Sequence, residues 1–311
     1  MPAGDTDISW QVLRRIVHEW GGTAAELAEV TPLEGGCINT TLAISTTDGN
    51  KAVLKISVHR VNRAYQDEAI QLNLLRRLGL PAPEVYAAKV GSLDDPFSYL
   101  LMEFMPGTNL GEAKKACGET EFDHLQTELA EMLLTLHAHT SSHYCRVTQA
   151  EGPMFDQWPR FYRHVFDPIW HEVEKSAALP VKSRKLVAKV HERLDRLISN
   201  DDCPRLVHWD VWATNVLAAP DGDGHWRITG LLDPNCKYAH AEAEIAYMEL
   251  FHTTTPAFTR AYQQGRKLPP EYHRVRKPVY QLYSLLDHVH LFGQEYLKSL
   301  LESIEKVGAL L

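Results

Sequence analysis

Leu206-Val207-His208-Trp209-Asp210-Val211-Trp212-Ala213-Thr214-Asn215-Val216-Leu217 is the stretch on which the reading of the fold turns. Two short apolar runs, Leu206-Val207 and Val216-Leu217, bracket a polar loop, the pattern of strand, loop and strand. Asn215 lies five residues after Asp210, and eighteen residues beyond Asn215 the mostly apolar run Ile228 to Leu232 ends in Asp233. Asp and Asn favour turns through local backbone geometry alone, so either residue singly says little. Taken together, His208, Asp210, Asn215 and Asp233 all stand at strand ends. They supply a carboxylate able to meet an attacking hydroxyl, and oxygen donors of the kind that suit a hard cation such as Mg²⁺.

The spacing matches the His-x-Asp-x-x-x-x-Asn catalytic loop of kinases, with Asp233 where the second magnesium ligand belongs. The residues upstream fit the same order. Val53-Leu54-Lys55-Ile56 is an apolar strand interrupted by one lysine, which either snorkels at an edge or is directed at nucleotide phosphates. Glu68 on the following helix is placed to hold Lys55, although a first-turn glutamate also suits the helix dipole. Glu34-Gly35-Gly36-Cys37-Ile38-Asn39 is either a phosphate-cradling loop, with Gly35, Gly36, Cys37 and Asn39 at the nucleotide, or a hairpin turn. Cys37 reads as a redox-sensitive thiol or as a small buried residue. The backbone of Glu103, Phe104 and Met105, at the end of another strand, is either an adenine-reading edge or core β-structure. Trp212 offers an indole on which a sugar's apolar face packs, or a structural aromatic. His137, His139 and His143 lack a nearby Cys or carboxylate at metal-site spacing, and His137 reads as a core-facing or capping residue.

Outward from these residues, the first third of the chain is strand-rich. Ile8 to Trp20 has helical spacing and ends at Gly21-Gly22. Strands are expected over Ala28 to Leu33, Thr40 to Thr46, Lys51 to Val58, Glu84 to Val90 and Tyr99 to Met105, with a helix over Asp67 to Leu78. After Met105-Pro106-Gly107, helical patterns dominate: Glu121 to His137, Ser183 to Ile198, Ala241 to Phe251 and Val279 to Val307. The expected class is α+β: a two-lobed, protein-kinase-like fold with a small antiparallel sheet in residues 1–105 and a larger, mainly helical lobe in residues 106–311, the site lying in a cleft between them.

The chain has 311 residues, 44% of them hydrophobic and 23% charged, as in an ordinary globular protein. A net charge of −8 argues against nucleic acid or an anionic membrane as partner. The first residues carry acids and no apolar core, so no secretory signal is read, and no run approaches the ~20 apolar residues of a membrane span. Five scattered cysteines with no CxxC pair point to a reducing cytoplasm.

On these residues the chain resembles the fructosamine kinases (ketosamine-3-kinases), relatives of the aminoglycoside phosphotransferases. The resemblance spans nearly the whole chain. Its most specific segments are Asp233-Pro234-Asn235-Cys236-Lys237-Tyr238-Ala239-His240-Ala241-Glu242-Ala243-Glu244, its continuation to Phe251, and Tyr280 through Gly293. It implies ATP- and Mg²⁺-dependent phosphorylation of the 3-hydroxyl of a ketosamine, a small sugar-amine or a glycated protein. Asp210 would be the catalytic carboxylate, Asn215 and Asp233 the metal ligands, Lys55 a phosphate contact, and Trp212, His240 and Glu242 residues on the sugar side. Trp209 and Thr214 replace two usual glycines, Ala239 a third, Ala241 an arginine and Glu244 an aspartate; the lost arginine leaves the acceptor less defined than the chemistry. Two other readings stay open: an aminoglycoside-type small-molecule kinase and a nucleotide-binding pseudokinase.

Overall fold

Apolar residues recur along Trp10–Gly21 so that Leu13, Ile16 and Val17 share one buried face, and this segment is the first helix, α1. Ser9 caps its start by accepting from the Val12 N–H, and Gly22 ends it at φ 86°. The computed structural model describes residues 8–33, 40–58, 62–148, 152–176 and 179–311. The expected phosphate-loop residues Gly35, Gly36, Cys37 and Asn39 lie outside these.

Strands β1 (Leu27–Pro32), β2 (Thr40–Thr46) and β3 (Lys51–Ser57) follow, then helix α2 (Ala64–Arg77) and strands β4 (Val85–Lys89) and β5 (Ser98–Glu103). They form an antiparallel sheet in the order β1-β2-β3-β5-β4. On β3, Ala52, Leu54 and Ile56 face inward and pack with Leu42, Ile44, Tyr99 and Leu101 against α1. Period-2 alternation therefore turns Val53 and Lys55 to the opposite face. Beyond β5 come β6 (Thr108–Asn109) and α3 (Leu110–Ala116), the latter capped by Asn109.

The next elements are α4 (Glu119–Ala138), β7 (Cys145–Arg146), α5 (Trp158–Lys175), α6 (Val181–Glu192), α7 (Leu194–Leu197) and β8 (Arg205–Val207). A hairpin of β9 (Val216–Pro220) and β10 (Trp226–Leu231) follows, with β6 completing its small sheet. The rest is β11 (Lys237–Ala239), α8 (Ala241–Leu250), α9 (Pro256–Gly265), α10 (Lys277–Phe292) and α11 (Leu297–Gly308). Strand β11 lies between β7 and β8 in a third antiparallel sheet.

Two long helical patterns are interrupted. The expected helix Val279 to Val307 breaks at Gly293, which has φ 70° and opens a 3-10 turn, Gly293–Tyr296, between α10 and α11. The expected helix Ser183 to Ile198 divides at Arg193 into α6 and α7. The chain forms two compact units, one of residues 1–118 and 214–234, the other of residues 119–213 and 235–311. Among the described residues, no helix is long and apolar enough to cross a membrane.

Candidate active site

In the first unit the outer face of β3 carries Lys55 beneath helix α2. Its Nζ lies 2.6 Å from Glu68 Oε1 and also donates to Asp233 Oδ1. The lysine and glutamate side chains are only 12% and 15% exposed, so this pair is far from a solvated surface bridge. Burial alone would lower the Lys55 pKa, but the Glu68 and Asp233 carboxylates outweigh it and hold the ammonium firmly protonated. Burial raises the Glu68 pKa, with Lys55 opposing. Asp233 sits just past β10 at φ 55°, a left-handed conformation that Asp tolerates better than most residues. Asn215 is buried at the end of a 3-10 turn, Ala213–Asn215, just before β9, and its carbonyl accepts the Leu232 N–H at 2.8 Å, fixing it beside the segment that bears Asp233.

Glu103 ends β5, and Phe104 and Met105 follow it. The Glu103 N–H donates to the Glu84 carbonyl at 2.8 Å and its carboxylate accepts the Glu84 N–H, so that residue is engaged in pairing. Phe104 is exposed, with Lys51 Nζ 5.9 Å from its ring centroid, and Met105 packs near Gly230.

In the second unit, the loop after β8 is held from several sides. The His208 carbonyl accepts the Asn235 N–H at 2.9 Å, tying the loop to the segment before β11. Trp209 has φ 71°, and its N–H donates to Glu244 Oε1 on α8. The other Glu244 oxygen meets His137 Nε2 at 2.7 Å, and His137 Nδ1 lies 2.8 Å from the Tyr262 hydroxyl. A carboxylate only accepts, so Nε2 carries the imidazole proton and Nδ1 accepts from Tyr262. This buried chain places Asp210, whose Oδ1 accepts the Tyr247 hydroxyl at 2.6 Å. Burial and then the Asp210 charge push the Tyr247 pKa well up, so it stays a donor.

Lys237 on β11 is buried beside this loop, with Nζ 2.8 Å from the Asn235 carbonyl and 4.6 Å from the Trp209 ring centroid. Trp212 is half-buried. His240 and Glu242 are both buried. His240 stacks on Trp158 at 4.7 Å and meets the Tyr144 hydroxyl, while Glu242 binds Arg276 and accepts from Tyr280 at 3.0 Å.

The structure thus brings Lys55, Glu68 and Asp233 together and sets Asn215 in the same unit, while Asp210 and Trp212 belong to the second unit. Sequence reasoning did not single out Tyr247 or Lys237. Tyr247 lies in an unbroken helical run with no local signal, and a lone Lys in a three-residue strand reads as surface.

The α+β architecture is that of protein-kinase-like phosphotransferases, and a strand lysine held by a helical glutamate is how such enzymes manage nucleotide phosphates. The chain belongs to the fructosamine kinase family, whose model matches residues 9–309. It is 26% identical over 307 residues to YniA of Escherichia coli K12, named as a probable ketoamine kinase, covering 96% of this chain and 99% of that one. It is 25% identical to the chloroplastic protein-ribulosamine 3-kinase of Oryza sativa subsp. indica, over 93% of this chain and 82% of the relative. Among solved structures, the protein named provisionally as a fructosamine-3-kinase from Haemophilus somnus 129PT superposes with a TM-score of 0.75 at 20% identity, covering 96% of this chain and 97% of that one. The protein is a sugar-amine kinase, a phosphotransferase acting on a hydroxyl group.

Proposed function

We propose that the chain transfers the γ-phosphoryl group of ATP to the 3-hydroxyl of a ketosamine, with Asp210 as catalytic carboxylate. The observation that carries the phosphoryl chemistry is the Lys55 ammonium, fixed between the Glu68 and Asp233 carboxylates and kept protonated by them. The acceptor class follows from the family and from the names of its relatives.

The Tyr247 hydroxyl donates to Asp210 Oδ1 and orients the carboxylate, which accepts the proton of the acceptor hydroxyl. The acceptor oxygen forms its bond to the γ-phosphorus as the bond to the β–γ bridging oxygen breaks, and ADP leaves with that electron pair. Lys55 contacts the phosphates, and Glu68 fixes its position. Gly35, Gly36, Cys37 and Asn39 are assigned to the phosphate loop, and the Glu103 to Met105 backbone to the adenine.

The Asn215 amide and Asp233 carboxylate fit Mg²⁺ by their donor chemistry. Both offer hard oxygen, and this ion typically takes one or two protein ligands and fills the rest with phosphate and water. When bound, it would neutralise phosphate charge. Trp212 flanks the sugar, whereas His240 and Glu242, buried among Trp158, Tyr144, Arg276 and Tyr280, act on it through the elements they brace. None of the four described cysteines is in a disulfide, and burial pushes the Cys236 thiol up to about 12. The location assigned is a reducing cytoplasm, with a small-molecule or glycated-protein substrate there.

Turnover with a fructosyl-amine and with an aminoglycoside, each followed by mass detection of the product, tests the reading. Phosphorylation of the fructosyl-amine at its 3-hydroxyl is expected. Phosphorylation of the aminoglycoside alone, or of neither, overturns it.

A further inference from the structure

Asp287 stands on α10 one turn beyond Tyr283, whose side chain is hydrogen-bonded to Trp209. Its charge acts on Tyr247, Tyr283 and Lys237, the groups that surround Asp210 and Trp209. The buried acids nearby are all spoken for: Glu242 by Arg276, and Glu244 by His137 and the Trp209 N–H. Among the described residues, none hydrogen-bonds to or ion-pairs with the Asp287 carboxylate. It is nonetheless partly desolvated, and burial raises its pKa. A carboxylate in that state gains from a cationic partner. Lys237 does not serve, because its Nζ is committed to the Asn235 carbonyl and the Trp209 face, and burial and Arg146 favour its neutral form.

A chain of aromatic rings leads outward from the same place. Tyr247, bonded to Asp210, lies 4.8 Å from Phe251. Phe251 stacks on His288 at 4.4 Å, and His288 meets Tyr296 at 4.9 Å. Phe292, 38% exposed, closes the outer end. A carboxylate beside contiguous aromatic faces is the chemistry that recognises a substituted ammonium: charge for the nitrogen, π-faces for the cation and its apolar substituents.

We propose that Asp287 and this aromatic surface bind the protonated secondary amine of the acceptor and its substituent, an inference that rests on the ketosamine reading above. In a ketosamine only two carbons separate the amine nitrogen from the carbon bearing the 3-hydroxyl. A hydroxyl presented to Asp210 therefore carries its ammonium to a nearby carboxylate, and the substituent continues over the rings.

The test compares wild type with Asp287→Asn on two acceptors, an N-benzyl fructosyl-amine and the neutral 1-thioether analogue with the same substituent. The wild type is expected to favour the amine. Asp287→Asn should raise its KM about tenfold, the scale of one lost charged hydrogen bond, with kcat within about twofold. The KM for the thioether and for ATP should stay unchanged, which also reports an intact fold. An unchanged KM for the amine, or equal losses on both acceptors, overturns the assignment and leaves the kinase reading standing. If the wild type phosphorylates neither, the ketosamine reading falls, and calorimetric binding of the amine decides the assignment: equal affinity in wild type and variant overturns it.

Discussion

Trp209 holds a backbone conformation that bulky residues rarely adopt, with φ at 71°. Its N–H is taken by Glu244, while its indole covers the Lys237 Nζ and bonds Tyr283. Two departures from the family pattern, Trp209 for Gly and Glu244 for Asp, thus meet at one hydrogen bond. Lys237 makes a pH prediction. Burial, then Arg146, hold its pKa well below the ordinary 10.5, against the pull of Asp210 and Asp287. Between that lowered value and 10.5, the unfolded chain binds more protons at this residue than the folded one, so this contribution to stability grows as pH rises and falls away as pH drops. Urea denaturation of wild type and Lys237→Met at successive pH values below 10.5 should show the wild type gaining on the variant as pH rises, by up to about 1.4 kcal/mol per pH unit. A stability difference constant with pH would contradict this.

At the scale of elements, Gly107 shows why the Met105-Pro106-Gly107 junction has its sequence. Its φ is 115°, and a Cβ there would stand 2.5 Å from the Ala218 carbonyl oxygen on β9 and 3.0 Å from Thr229 Oγ1 on β10. Gly107→Ala combines backbone strain with a contact against main chain that cannot simply rotate away. A loss of about 1–3 kcal/mol is expected in chemical denaturation; a variant as stable as wild type would show that the junction tolerates a side chain.

Elements with clean periodicity were legible: β2 falls on Thr40–Thr46 as its alternation predicts, and α1 and α4 lie within two residues of their expected limits. Helix α5 is masked in the sequence, although Phe161, Tyr162, Val165 and Phe166 recur at helical spacing, because Pro159 and Pro168 fall within it. The first is tolerated in the opening turn, whereas the second costs an intrahelical bond that packing of the buried face makes good. The break at Gly293 is not legible in the pattern, because one glycine interrupts a run that remains apolar on both sides.

Over the whole molecule, what the sequence revealed of the candidate site depended on distance along the chain. Lys55 and Glu68 are thirteen residues apart, and the structure pairs them. His208 to Asn215 is a continuous loop whose spacing could be read directly. The groups around Asp210 are a different matter. Tyr247 is 37 residues from Asp210 along the chain, and His137 is 107 from Glu244, so only tertiary packing discloses them. Family membership explains why the fold is recognisable despite identities near 26%.

The most direct measurement is the rate of ADP formation dependent on a fructosyl-amine, for wild type and for Asp210→Asn, with the product located by ³¹P NMR. The variant keeps the Tyr247 partner but offers an amide where a proton must be accepted. Its kcat should fall about 10²- to 10⁴-fold, with the KM for ATP little changed and wild-type product phosphorylated at the 3-hydroxyl. Equal turnover by the two proteins would contradict the account.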